Sequence, residues 1–234
     1  QLGIFLFPAL ANFAWVKWFE KRPISSLGFF KKKWFLEIVK GWGVGMLIFS
    51  LAFLLSYLFG GLELHSVDFS AGTILYVLST IPFWFIQGGT EELLTRGWLL
   101  PIINKRSNLA IAIAVSSSLF GLMHLANAHV TFLSILSIIL SGVFMALYML
   151  KTDNLWGVAG LHGAWNFAQG NIYGLAVSGT STGLSFFRFG AKPDAADWIS
   201  GGAFGTEGSL FASLVLLAGI LFLAWQLKKE KQVS

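Results

Sequence analysis

The residues able to do chemistry in this chain fall into three short groups. Glu91-Glu92-Leu93-Leu94-Thr95-Arg96 sets two adjacent carboxylates and a guanidinium near the end of an apolar run. Phe120-Gly121-Leu122-Met123-His124 and His162-Gly163-Ala164-Trp165-Asn166 follow, each in an apolar run of its own. On a helix Glu92 and Arg96 share a face, whereas Glu91 is turned by about 100° from Glu92. That divides their roles: Arg96 can neutralise Glu92, and Glu91 stays free to face the interior as a general base. His162 and Asn166 are likewise spaced to share a helix face. A lone histidine in a membrane helix is commonly a hydrogen-bonded packing residue. An acid pair, a histidine and a histidine/asparagine pair on three separate helices point instead to one buried hydrolytic site. The competing reading of 91–96 is an inert cluster at the membrane surface, both acids pairing with Arg96 and Lys105. His65, beside Glu63 and Asp68 in a short connector, is read as solvated, and Asn127 and His129 follow His124 toward the outer turn.

These groups need a scaffold, and composition says which. With 56% hydrophobic residues, 12% charged residues and a mean hydropathy of +0.72, the 234-residue chain lies outside the soluble class. Its 26 glycines and 23 phenylalanines suit closely packed helices with aromatic, lipid-facing surfaces. Absence of cysteine removes disulfides, thiolate metal ligands and a cysteine nucleophile together. Apolar runs at 1–16, 41–60, 70–100, 109–127, 131–150, 155–172 and 208–227 are each near the roughly 20 residues that cross a bilayer. The expected fold is an all-α polytopic transmembrane bundle of about seven spanning helices, with the catalytic residues on three central ones. It forms a single membrane domain over 1–234. The first run has neither an initiator Met nor a basic region ahead of it, so it is expected to be a spanning helix without its start rather than a signal peptide.

The connectors carry the orientation. Thirteen Lys and Arg residues fall on one side (17–40, 105–106, 151 and 228–231), against only Arg188 and Lys192 on the other, with Arg96 inside. The basic loops and the C-terminus are therefore expected to be cytoplasmic. That distribution reads as topology and lipid-headgroup contact, and excludes nucleic acid as the partner. Pro23 and Ser25-Ser26-Leu27-Gly28 suit a turn or surface helix, and Gly41 and Gly45 form a small-xxx-small pair able to bring helices close. The 70–100 run would extend about 46 Å against a core of about 30 Å, so it is expected to tilt, kink at Pro82 or break near Gly88-Gly89, with Pro101 ending it. Counting about 1.5 Å per residue from the cytoplasmic ends puts Glu91 roughly 15 Å deep, His124 roughly 22 Å and His162 roughly 10 Å. Tilt, or a break near Gly157 or Gly160, is expected to level them. Residues 171–206 are expected to form a long outer loop, functional or mobile.

The ordered set Glu-Glu-x-x-x-Arg, Phe-x-x-x-His and His-x-x-x-Asn on successive apolar helices resembles the CAAX prenyl protease and bacteriocin-processing family, also called Abi or type II CAAX proteases. Arg96-Gly97, His124-Leu125-Ala126-Asn127 and the stretch Gly201-Gly202-Ala203-Phe204-Gly205-Thr206-Glu207-Gly208 also resemble bacterial members, and the likeness spans roughly residues 80–210. The resemblance implies an intramembrane endopeptidase of a bacterial cytoplasmic membrane, acting on a membrane-embedded or lipidated peptide or protein near its C-terminus. Glu91 with His124 would activate a water, His162 and Asn166 would hold the oxyanion, and Glu92, Arg96, Phe120 and Asn127 would support them. No cofactor is required in this reading. Were a metal such as zinc used, Glu91, His124 and His162 would be its ligands, although the scattered spacing lacks a His-Glu-x-x-His signature. Two other readings remain at this stage: a non-catalytic immunity or scaffold protein of the same fold, and a proton-coupled transporter. The second is disfavoured because no counterpart of the site precedes residue 80.

Overall fold

The computed structural model describes residues 2–30 and 32–233, without the side chains of 231–233. Gln1, Lys31 and the Lys231 side chain, used above for the chain start and the charge asymmetry, lie outside the described residues.

In a bilayer the backbone must satisfy its own hydrogen bonds, so the apolar runs fold as helices. α1 (Leu6–Ala14) is prolonged by a 3-10 turn before it and a π-helical turn after it into a continuous stretch, Leu2–Phe19. A short 3-10 turn, Ile24–Leu27, then leads to α2 (Trp34–Leu58), strand β1 (Leu62–Val67) and α3 (Ala71–Glu92). A π-helical segment, Leu93–Leu99, joins α3 to α4 (Leu100–Arg106). Next come α5 (Leu109–Met123), α6 (Phe132–Thr152) and α7 (Leu155–Phe167). Strand β2 (Phe187–Ala191), the short α8 (Asp197–Ser200) and α9 (Leu210–Val233) complete the chain.

Helix forms at each of the seven expected runs, and among the described residues five stretches are long and apolar enough to span: Leu2–Phe19, Trp34–Leu58, Ala71–Arg106, Phe132–Thr152 and Leu210–Glu230. α5 has 15 residues and α7 has 13, the latter continued by a π turn to Ile172. The protein is an integral membrane helix bundle. α7 is its hub: every residue of it but Trp156 is buried. A helix that is apolar all round belongs inside protein, and here α2, α3 and α6 supply that surrounding.

Glycine sets how close α7 comes to its neighbours. A methyl group at Gly41 of α2 would overlap the Gly157 carbonyl, and one at Gly45 would overlap that of Leu161. On the α3 side, a Cβ at Gly88 would stand 2.8 Å from the Gly163 nitrogen, and one at Gly163 would stand 2.9 Å from the Trp84 carbonyl oxygen. These are backbone-to-backbone contacts of the small-residue kind that membrane helices use. Gly41→Val is therefore expected to destabilise the protein by at least the 1–3 kcal/mol, approximately, of an overpacked core. Gly43→Val is the control, since a Cβ there meets nothing within 4 Å. Thermal unfolding of both variants in one detergent reads the difference.

The same glycines correct two expectations. Neither Gly88-Gly89 nor Gly157 and Gly160 breaks a helix: α3 runs on to Glu92 and α7 is continuous, because these glycines admit a neighbouring backbone. Pro82 lies inside α3 without ending it, and Pro101 opens α4 rather than closing the long run. Pro101 stands where the π-helical stretch passes into α4, an irregular step of the backbone hydrogen-bond ladder that accommodates its missing N–H. The irregularity falls instead on Leu93–Leu99, immediately after Glu92, as a π-helical stretch of the sort found at functional sites.

Outside the bundle, residues 61–69 and 171–206 are not plain loops. β1 and β2 pair antiparallel, Leu62 opposite Ala191 and Val67 opposite Phe187. Alternation in Leu62-Glu63-Leu64-His65 and in Phe187-Arg188-Phe189 is the signal for this pair. It adds one two-stranded sheet to the expected all-α bundle.

Candidate active site

The C-terminal turns of α3 and the π-helical segment after it deliver Gln87, Glu91, Glu92, Thr95 and Arg96, the end of α5 delivers Phe120 and His124, and α7 delivers His162 and Asn166. These elements enclose a cavity of about 860 Å³ whose wall includes Glu91, His124, His162 and Asn166 together with Phe120 and Asn127. Glu92 and Arg96 stand behind that wall, both fully buried.

Arg96 Nη1 donates to Glu92 Oε1 at 3.1 Å and to Thr95 Oγ1 at 2.6 Å, and its guanidinium lies 4.6 Å from the centre of the Phe120 ring. This is the pairing expected from the four-residue spacing; neither acid bonds to Lys105 among the described residues. Phe120 is thereby a platform, with the cation on one side and the histidine rings at centroid distances of 4.9 Å (His124) and 5.9 Å (His162).

His162 is held between the two acids. A carboxylate can only accept, so His162 Nδ1–H donates to Glu92 Oε1 at 2.9 Å. Its other nitrogen, Nε2, faces Glu91 Oε2 at 3.7 Å, beyond hydrogen-bond length but within strong Coulomb range. Glu91 Oε1 accepts from Gln87 Nε2 at 2.6 Å, and Gln87 Oε1 accepts from Asn166 Nδ2 at 2.8 Å. A relay of Asn166, Gln87 and Glu91 thus fixes the carboxylate plane from one side while His162 stands at the other. Glu91 Oε2 is buried and takes no hydrogen bond.

His124 closes the last turn of α5. A main-chain carbonyl only accepts, so His124 Nδ1–H donates to the Phe120 carbonyl at 2.8 Å. In the neutral ring this leaves Nε2 as the acceptor. Asn127 follows on the wall, its backbone N–H on the His124 carbonyl at 3.0 Å.

As a metal centre the set does not fit. Among the described residues, no three His, Asp or Glu side chains converge closely enough to hold an ion, Glu91, His124 and His162 included. His162 Nδ1 is also already committed to Glu92. His65 lies 4.0 Å from Glu63 on β1, away from the cavity. The cavity wall also holds residues that were not among the expected ones, Gln87 and Glu207 among them. The signal for Gln87 was present, since it is a polar residue inside an apolar run, one helical turn before Glu91.

In a comparison with protein families, residues 73–168 match the model described as type II CAAX prenyl endopeptidase Rce1-like. Over that stretch the chain is similar to the type II CAAX endopeptidase family. The matched residues contain all three chemical groups, from Glu91 to Asn166, and therefore α3, α5, α6 and α7, whereas α2 and α9 lie beyond the match. Comparisons with curated proteins and with solved structures gave no match. The CAAX endopeptidase family is a family of proteases, and its name implies a membrane-associated, prenylated substrate.

Proposed function

We propose that this protein is an intramembrane endopeptidase that hydrolyses a peptide bond near the C-terminus of a membrane-associated peptide or protein, with Glu91 as the general base. The supporting observation is the state of Glu91: a carboxylate on the cavity wall, one oxygen anchored by Gln87, the other buried and unbonded 3.7 Å from His162. Such an oxygen is placed to take a proton from water, and His124 Nε2, an acceptor on the same cavity, to orient that water.

The steps balance on these groups. Glu91 takes one proton as the water oxygen bonds to the carbonyl carbon. Charge gathers on the carbonyl oxygen, where a proton on His162 Nε2 and the second amide N–H of Asn166 would serve as donors. The C–N bond then breaks, and the proton on Glu91 passes to the departing amine. Glu92 holds His162 through Nδ1, which leaves Nε2 for the cavity. No step needs a metal. The basic residues at 17–40, 105–106, 151 and 228–231 support a reading in which this chemistry lies toward the cytoplasmic side of a bacterial membrane.

Purified protein in proteoliposomes is expected to cleave a lipid-anchored reporter peptide. His124→Ala is expected to lower the rate by about 10²-fold or more. Equal cleavage by parent and variant removes His124 from the mechanism, and an intact reporter with the parent over a broad substrate set removes the peptidase reading.

A further inference from the structure

The mechanism leaves one acidic side chain of the cavity unused. Glu207 belongs to the glycine-rich stretch Gly201–Gly208, in which Gly201, Gly202 and Gly205 have φ of +86°, +56° and +106°. Side-chain-bearing residues rarely adopt such backbone. A Cβ at Gly205 would also collide with the Ala176 carbonyl. The stretch is thus folded tightly by conformations that glycine permits, and its outcome is a carboxylate on the cavity wall.

That carboxylate is 7% exposed. Oε1 accepts from the Ser178 N–H, from Ser178 Oγ at 3.0 Å and from Gln169 Nε2 at 3.1 Å, while the Glu207 N–H donates to Gln169 Oε1 at 3.1 Å. Oε2 takes no hydrogen bond, and among the described residues no Lys, Arg or His comes within ion-pair distance of Glu207. A buried carboxylate is costly unless it is paired. Glu92, fully buried, has Arg96 and His162; Glu207 has neutral donors on one oxygen and, among the described residues, no cation. Among the described residues no partner of opposite charge is supplied, and the carboxylate lies on the cavity wall.

We propose that Glu207 forms a specificity subsite that receives a cationic side chain of the substrate, a lysine ammonium or an arginine guanidinium, in the cavity where Glu91 acts. This rests on the peptidase reading. The competing role is a latch alone, tying Ser178 to Gln169 at the end of α7 through Oε1.

The test uses the full protein in proteoliposomes and lipid-anchored fluorescent peptides of one sequence, in which a single position is Lys, norleucine or Glu and is moved stepwise along the chain. Equilibrium binding and cleavage are measured separately. The parent is expected to favour Lys over norleucine at one position by about tenfold or more, and to reject Glu there. Glu207→Gln keeps an acceptor for Ser178 and Gln169 and is expected to bring the Lys to norleucine ratio close to one. Ser178→Ala loosens the latch, leaves the charge and is expected to keep the ratio. A parent without charge preference at any position overturns the subsite, whether or not the variants fold, and so does an unchanged ratio in Glu207→Gln. Charge-selective binding without cleavage keeps the subsite and removes the peptidase; cleavage without charge preference does the reverse.

Discussion

Glu91→Gln is expected to lower peptide cleavage by about 10²- to 10⁴-fold, the range for loss of a positioned general base. The substitution is close to isosteric. A glutamine at 91 still accepts from Gln87 at Oε1, and the Glu92, Arg96 and His162 contacts lie on other atoms. Thermal unfolding should therefore move little while the rate collapses, and that split separates chemistry from folding. Gln87→Ala supplies the graded comparison. It removes the donor at 2.6 Å from Glu91 and the acceptor of Asn166, but leaves Glu91 and His162 facing each other. A loss of about tenfold is expected, carried by kcat rather than KM, since Gln87 positions the base and the oxyanion donor Asn166 and itself takes no part in the reaction. Retention of parental rates by Glu91→Gln would mean that the proton of water goes elsewhere, and would remove Glu91 as the general base.

Much of this arrangement was legible because it depends on local spacing. Glu92 and Arg96 meet because they are four apart, and His162 and Asn166 line one face for the same reason. The family likeness rests on those same spacings, and the matched residues, 73–168, contain them. What spacing could not show is the contact between helices. That His162 would sit between Glu91 and Glu92 follows from the approach of α7 to α3 across Gly88 and Gly163, which no one-dimensional pattern encodes. The glycines were visible, but they were read as breaks. In a bilayer a glycine serves equally to admit a neighbouring backbone, and the burial that decides between the two exists only after packing. Glu207 was illegible for a related reason: it reaches the cavity through three glycines with positive φ, and a run of glycines reads as loop.

Arg96 tests how the bundle tolerates its charges. Removing one partner of a buried ion pair strands the other, so Arg96→Met is expected to destabilise the protein by about 3–5 kcal/mol. The loss has three parts: the contact to Glu92 Oε1 at 3.1 Å, the bond to Thr95 Oγ1 at 2.6 Å and the stacking on Phe120. Arg96→Lys should recover only part of it, because an ammonium cannot present a planar fork to Glu92 and Thr95 while covering the ring. The informative variant is the double one, Glu92→Gln with Arg96→Met. It removes the stranded charge but retains an acceptor for His162 Nδ1–H, so stability is expected to exceed that of Arg96→Met alone, a coupling of about 0.5–3 kcal/mol. Cleavage should not return with it. An amide oxygen at 92 holds the His162 Nδ1–H less strongly than a carboxylate does, so the ring that faces the cavity through Nε2 is less firmly oriented. A double variant no more stable than Arg96→Met would show that the guanidinium acts by filling space against Phe120, not by neutralising Glu92. One that regained both stability and cleavage would show that the charge of Glu92 serves the fold and has no part in the reaction.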